Sequence, residues 1–154
     1  MRLERDIVDF ENSIGPWLGK TVKIVDYFLK ESLNKVDLNL TKEQMIVLKK
    51  LHDQDGLNQN ELAFLTIRNK SSLTRLLIKM ENKKYIIRKQ SNDDKRINKV
   101  YVTKLGREIF QKTKPVLRDL IDRMEKNISE GEKKQIIKIL KKIQFNFNSK
   151  IESF

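Results

Sequence analysis

The chain contains no cysteine. That removes disulfides, thiolate metal ligands and thiol-based oxidant sensing together. A single histidine, His52, is too little for a histidine-built metal site; it reads as capping or lining the end of a helix. Glycine and proline are sparse, at 5 and 2 residues, and no glycine-rich loop could cradle a phosphate. No apolar run approaches the roughly 18 residues of a membrane span. The N-terminal stretch MRLERDIVDFE has no apolar core of the kind a secretory signal needs, so a cytoplasmic location is expected. No serine stands beside a base, and the carboxylates are scattered through lysine-rich surfaces. Together these absences predict a protein that is not an enzyme and needs no cofactor or metal.

Negative charge is scarce in one region. The chain carries 33 Lys+Arg against 21 Asp+Glu, net +12. Residues 1–40 and 41–66 are each net −1, whereas residues 67–99 hold 11 basic and 3 acidic side chains, net +8, and residues 100–154 are net +6. An AT-rich genome would raise lysine everywhere, but the first 66 residues show no such excess. A localised basic field is the footprint of phosphate binding. At 154 residues, 35% of them charged and 38% hydrophobic, the chain reads as one domain with helical extensions whose apolar faces are covered in a dimer.

Apolar residues recur at helical spacing from Trp17 to Leu33, after a start at Ser13 with Pro16 in the first turn. Capping boxes open three further helices, at Thr41–Gln44, Asn58–Glu61 and Ser129–Glu132. Asp55-Gly56 is a turn. A short helix from Gln59 to about Leu65 is followed by the connector Thr66–Arg68. Next comes a helix capped by Asn69, with Leu73, Leu76, Leu77 and Met80 on its apolar face. This is a helix-turn-helix. Ile86-Ile87 and Val100–Val102 flank the polar tip Asp93–Arg96, which predicts a β-hairpin. Thr103 caps a long helix in which Pro115 predicts a kink. The terminal helices have no partner within a compact helix-turn-helix, so a symmetric dimer with two reading heads is expected.

The order of these elements, with Asn58–Ala63, Lys70–Leu76, Asp94-Lys95-Arg96, Val100–Thr103 and Gly106, resembles the MarR family of bacterial winged helix-turn-helix transcription regulators. The resemblance covers nearly the whole chain. It implies a mainly α fold with a small β-hairpin wing, residues 1–40 and 104–154 forming dimerisation helices around a DNA-binding lobe at 41–103. The family usually carries glycine where this chain has Lys84, so a strained or reshaped helix end is expected there.

A recognition helix enters the major groove by its N-terminal residues. Lys70, Ser71, Ser72, Thr74 and Arg75 are therefore the candidates for base and phosphate contact, with Lys79 on the same face. Arg75 can bond guanine bidentately. Gln59 and Asn69 stand at helix N-termini that favour phosphate, although Asn69, Ser71 and Ser72 serve equally as caps. The resemblance implies that Arg96 probes the minor groove, with Asp94 holding it by an ion pair and Lys95 and Lys99 adding phosphate contacts. A solvated loop is the alternative for the wing. The resemblance also implies a small aromatic or anionic effector, for which Trp17, Val25, Phe28 and Met45 are candidate walls and Lys20 or Lys23 candidate anion partners. Ordinary core residues and solvated lysines would look the same.

The function expected is a homodimeric, sequence-specific double-stranded DNA-binding regulator. It would act as a repressor on a palindromic operator and be released by an effector. The alternatives are a winged-helix protein-interaction module or a non-specific architectural DNA binder.

Overall fold

A computed structural model describes residues 8–147. Residues 1–7 and 148–154, the outer ends of the two segments read as dimerisation helices, lie outside the described residues. In chain order the elements are α1 (Ile14–Lys35), α2 (Lys42–Asp53), β1 (Leu57–Asn58), α3 (Gln59–Leu65), α4 (Lys70–Asn82), β2 (Ile86–Gln90), β3 (Asn98–Val102), α5 (Lys104–Met124) and α6 (Glu130–Phe147). The fold is mainly α with one small antiparallel sheet, a winged helix-turn-helix.

Local signals account for most helix starts. Thr41 accepts from the Gln44 backbone N–H at 3.2 Å, while the Gln44 side chain accepts from the Thr41 N–H at 3.3 Å. Asn58 and Glu61 exchange the same pair of bonds at 2.8 and 3.0 Å, as do Ser129 and Glu132 at 3.1 and 2.8 Å. Each box satisfies two N–H groups that a helix start leaves unpaired. Pro115 lies within α5, which runs as one helix from Lys104 to Met124. His52, in the last turn of α2, sets its ring 5.0 Å from that of Phe110 on α5.

The sheet has three strands in the order β1-β3-β2. Leu57 pairs with Val100 and Asn58 with Lys99, so the residues leading into α3 are hydrogen-bonded to the inner strand of the wing. The sequence patterning does not reveal β1. The wing strands also run further than their apolar segments, to Gln90 and from Asn98. The ladder continues through residues whose side chains face solvent, which polarity patterns cannot mark.

The core lies where the helix-turn-helix, the sheet and the first half of α5 meet. Leu48, Leu51, Leu62, Leu73, Leu77, Met80, Ile86 and Val100 are almost fully buried there. Each contributes about 1.5–3 kcal/mol relative to exposure. Beyond it the apolar surface is open. α1 buries only Leu29 and Leu33, and α6 buries nothing. Ile14, Trp17, Val22, Ile24 and Tyr27 on α1 are exposed, as are Ile136, Ile137, Ile139 and Phe145 on α6. Among the described residues no helix is long and apolar enough to cross a membrane.

Candidate nucleic-acid interface

The recognition helix α4 is set by its cap and its buried stripe. Asn69 Oδ1 accepts from the Ser72 N–H at 2.8 Å, so Asn69 is occupied as the N-cap. Leu73, Leu77 and Met80 turn inward. The helical period then turns Lys70, Ser71, Arg75 and Lys79 to the surface, where all four are exposed. Their side chains make no hydrogen bond or ion pair with any described residue, so nothing competes with an incoming phosphate or base. Thr74 donates its hydroxyl to the Lys70 carbonyl at 2.8 Å. Ser72 Oγ accepts from Arg68 Nη1 at 2.6 Å. Arg68 thus stands beside the helix start as a further cation, which the sequence reading left in the connector. Gln59, the first residue of α3, keeps a buried side-chain oxygen without a partner among the described residues.

The connector closes with Ile67 in the left-handed region, φ +51°. Its N–H bonds the Phe64 carbonyl at 3.2 Å, and the Arg68 N–H bonds that of Ala63 at 2.9 Å. A β-branched residue rarely adopts this conformation.

At the wing tip the expected ion pair between Asp94 and Arg96 is not formed. Asp94 Oδ1 instead accepts from the Arg96 backbone N–H at 3.0 Å, and the Asp94 carbonyl accepts from the Ile97 N–H at 3.0 Å. A short carboxylate two residues upstream closes the turn more readily than it reaches a guanidinium. Asp94 therefore shapes the tip. The side chains of Lys95 and Arg96 are exposed and unpaired among the described residues. Lys99 is half-buried, and Lys89 Nζ lies 5.9 Å above the Tyr101 ring.

Recognition helix and wing are joined at one junction. α4 ends with Lys84 in the left-handed region, φ +62°. The Lys84 N–H bonds the Glu81 carbonyl at 2.9 Å and the Tyr85 N–H bonds the Met80 carbonyl at 3.0 Å. The Schellman geometry expected of glycine is thus kept by lysine, at a strain of about 1 kcal/mol. Thr103 donates its N–H to the Tyr85 carbonyl at 3.0 Å and its hydroxyl to the Lys84 carbonyl at 2.6 Å. Thr103 also caps α5 by accepting from the Gly106 N–H at 3.0 Å. A Cβ on Gly106 would lie 2.1 Å from the Tyr85 carbonyl oxygen. This close approach is why glycine stands at that position.

Two side chains fix the end of α4 further. Lys83 Nζ donates to the Asn39 carbonyl at 3.0 Å and to Gln44 Oε1 at 2.9 Å; burial, then the charge of Lys79, lowers its pKa. Glu81 receives the Arg88 guanidinium at 3.0 and 3.3 Å and the Arg88 backbone N–H at 3.2 Å. These bonds hold the Glu81 carboxyl below the ordinary 4.5.

The effector candidates do not converge. Met45 lines a cavity of about 720 Å³ walled by Ile46, Phe110, Leu117 and Ile121, with Lys114 and Arg118 in its lining and Ile67 on its edge. Trp17 is exposed and donates its indole N–H to the Glu11 carbonyl at 2.6 Å. Lys20 Nζ sits 5.9 Å above the Trp17 ring. Phe28 packs under Arg123, at 4.4 Å, and against Tyr27. Val25 is half-buried on α1 and Lys23 is exposed there. None of these five lines that cavity. Of the candidates that the resemblance implied, Met45 alone lines this cavity, whose wall is built largely by α2 and α5. Among the described residues no group of three or more His, Cys, Asp or Glu could hold a metal ion.

A sequence model of the MarR family matches residues 40–97, from Leu40 in the α1–α2 connector to Ile97 at the wing tip. A crystal structure of MarR superimposes with a TM-score of 0.75 at 25% identity, covering 92% of this chain and 95% of that one. Residues 40–97 thus match the MarR family on a MarR-like fold. The chain's relatives in sequence are named as transcriptional regulators. SarZ of Staphylococcus epidermidis is 29% identical over 131 residues, 84% of this chain and 82% of its own. HosA of Escherichia coli O157:H7 is 26% identical over 105 residues, 68% and 78% of the two chains. The transcriptional repressor CouR, bound to a 23-mer DNA duplex, superimposes with a TM-score of 0.80 at 20% identity over 90% of this chain and 99% of that one; that likeness is one of fold.

Proposed function

We propose that this chain is a MarR-family regulator, a cytoplasmic homodimer that binds a palindromic operator in double-stranded DNA and represses transcription from it. The observation that carries the reading is the set of exposed cations without partners among the described residues on two adjacent elements: Lys70, Arg75 and Lys79 on α4, Lys95 and Arg96 at the wing tip. In this reading α4 enters the major groove, Arg75 contacts a base, and Ser71, Ser72 and Thr74 bond bases or phosphates with their hydroxyls. Gln59 and Asn69 lie at helix starts that face phosphate. Arg96 enters the minor groove on a tip shaped by Asp94. That a family relative by fold is a repressor bound to a duplex supports the reading.

Residues 1–40 and 104–154 serve as dimerisation arms around a reading head at 41–103. The exposed apolar side chains of α1 and α6 support this, since a second copy would cover them. The effector is a small aromatic or anionic molecule, and the cavity between α2 and α5, with Met45 in its wall and Lys114 and Arg118 in its lining, suits that chemistry. Its binding would favour a spacing of the two heads that does not fit the operator.

Titrating the protein with salt against its own upstream DNA and a scrambled duplex tests the central claim. Tighter binding to the upstream duplex at physiological salt is expected. Equal affinity for both would point to an architectural binder, and affinity for neither to a protein-interaction module.

A further inference from the structure

Of the eleven cations between residues 67 and 99, Arg88 is the one that forms an ion pair with a carboxylate among the described residues. It sits in the middle of β2, the outer strand of the wing. Its partner Glu81 lies in the last turn of α4. The carboxylate takes three bonds from this one residue, two from the guanidinium and one from the backbone N–H. It therefore grips both the strand and its side chain.

The other tethers of the wing lie elsewhere. β1 pairs with β3, and Thr103 holds the base after β3. β2 pairs on one side only. Its opposite edge, and hence the tilt of the whole hairpin relative to α4, is held by Glu81. A bidentate carboxylate–guanidinium pair is planar and directional, so it transmits orientation as well as charge.

We infer that Glu81 is a positioning residue that sets the angle between wing and recognition helix through Arg88, so that α4 and the Arg96 tip engage adjacent grooves together. This rests on the DNA-binding reading above. It contrasts with charge counting in the sign of its prediction. Glu81→Gln deletes a negative charge and releases the Arg88 guanidinium, so a count of charges predicts tighter DNA binding. Loss of the wing angle predicts weaker binding.

The test compares the wild type, Glu81→Gln, Arg96→Ala and the double variant on a duplex from the chain's own upstream region. Glutamine can still accept the Arg88 backbone N–H, and the urea midpoint of each variant checks folding. About tenfold weaker binding is expected for Glu81→Gln. The double variant should lose less than the sum of the two single losses, because most of what a correctly aimed wing contributes goes with Arg96. Unchanged or tighter binding by Glu81→Gln overturns the inference, as does a loss that adds fully to that of Arg96→Ala.

A second readout needs no DNA. The chain has no cysteine, so Ile78→Cys and Asn92→Cys, both exposed, place one spin label on α4 and one on the wing. With labelled chains diluted into unlabelled protein, Glu81→Gln should broaden the label–label distance distribution. An unchanged distribution overturns the inference. Failure of the wild type to bind either duplex would refute the DNA reading, while the label distances still decide the role of Glu81.

Discussion

Replacing Gly106 with alanine should destabilise the fold by about 2–4 kcal/mol. The added methyl would sit 2.1 Å from the Tyr85 carbonyl oxygen and 2.9 Å from Val102 Cγ2. The side chain of Val102 can give by a few tenths of an ångström. The carbonyl would have to retreat by about 1 Å to restore van der Waals contact. It is not free to do so, because it accepts from the Thr103 N–H at 3.0 Å and shares the Thr103 hydroxyl, at 3.1 Å, with the Lys84 carbonyl. Losing those bonds costs about 1 kcal/mol each, and overpacking adds about 1–3 kcal/mol. Alanine's helix propensity returns about 1 kcal/mol. Urea unfolding followed by circular dichroism, at one fixed protein concentration because the stability of the proposed dimer would depend on it, measures the difference. A loss below about 1 kcal/mol with an unchanged denaturant slope would refute the account of this junction.

Lys84→Gly, at the same junction, should act in the opposite direction. Relief of the φ +62° backbone gives a gain of about 1 kcal/mol, and a destabilised variant would show that the Lys84 side chain matters there. Arg96→Ala should weaken operator binding about tenfold or more while leaving the urea midpoint unchanged; unaltered affinity would remove Arg96 from the interface. The Glu81 carboxyl titrates below its ordinary 4.5 in the folded chain because Arg88 hydrogen-bonds its charged form. The stability it lends is complete above that pH and is lost as pH falls through the lower folded value. The acid limb of Glu81→Gln should be flatter in that window, by a small and salt-sensitive amount because the pair is partly exposed; superimposable limbs would count against the pair.

How much of this was legible depends on the range of the interactions. The boxes at Thr41, Asn58 and Ser129 close over three residues, so their chemistry is written in consecutive letters. The apolar stripe of α4 and the cap at Asn69 are local too. β1 is two residues long and finds its partner more than forty residues away, which no periodicity can signal. Lys83 reaches Asn39 and Gln44 across a similar distance in the chain, and Glu81 and Arg88, though close in sequence, stand on different elements whose separate periodicities do not pair them. At the tip the pair Asp94 and Arg96 was visible, but not which group of Arg96 the carboxylate would choose. The cavity wall eluded the sequence for a related reason. Apolar residues on α1 carry the same pattern whether they face a pocket, a core or a second copy.

The pairing of Leu57 with Val100, and the lock of Tyr85 onto Thr103 and Gly106, bear on how this protein can be cut and recombined. A fragment ending at the wing tip would leave β1 and β2 without β3, and α4 without the bonds that close its last turn. The smallest unit expected to fold must therefore run past Gly106, into α5. That helix packs on α1 and α2 as well. The segment 41–103 is thus not a cassette that can be exchanged at a linker, and any chimera that swaps it must join its halves within a continuous helix.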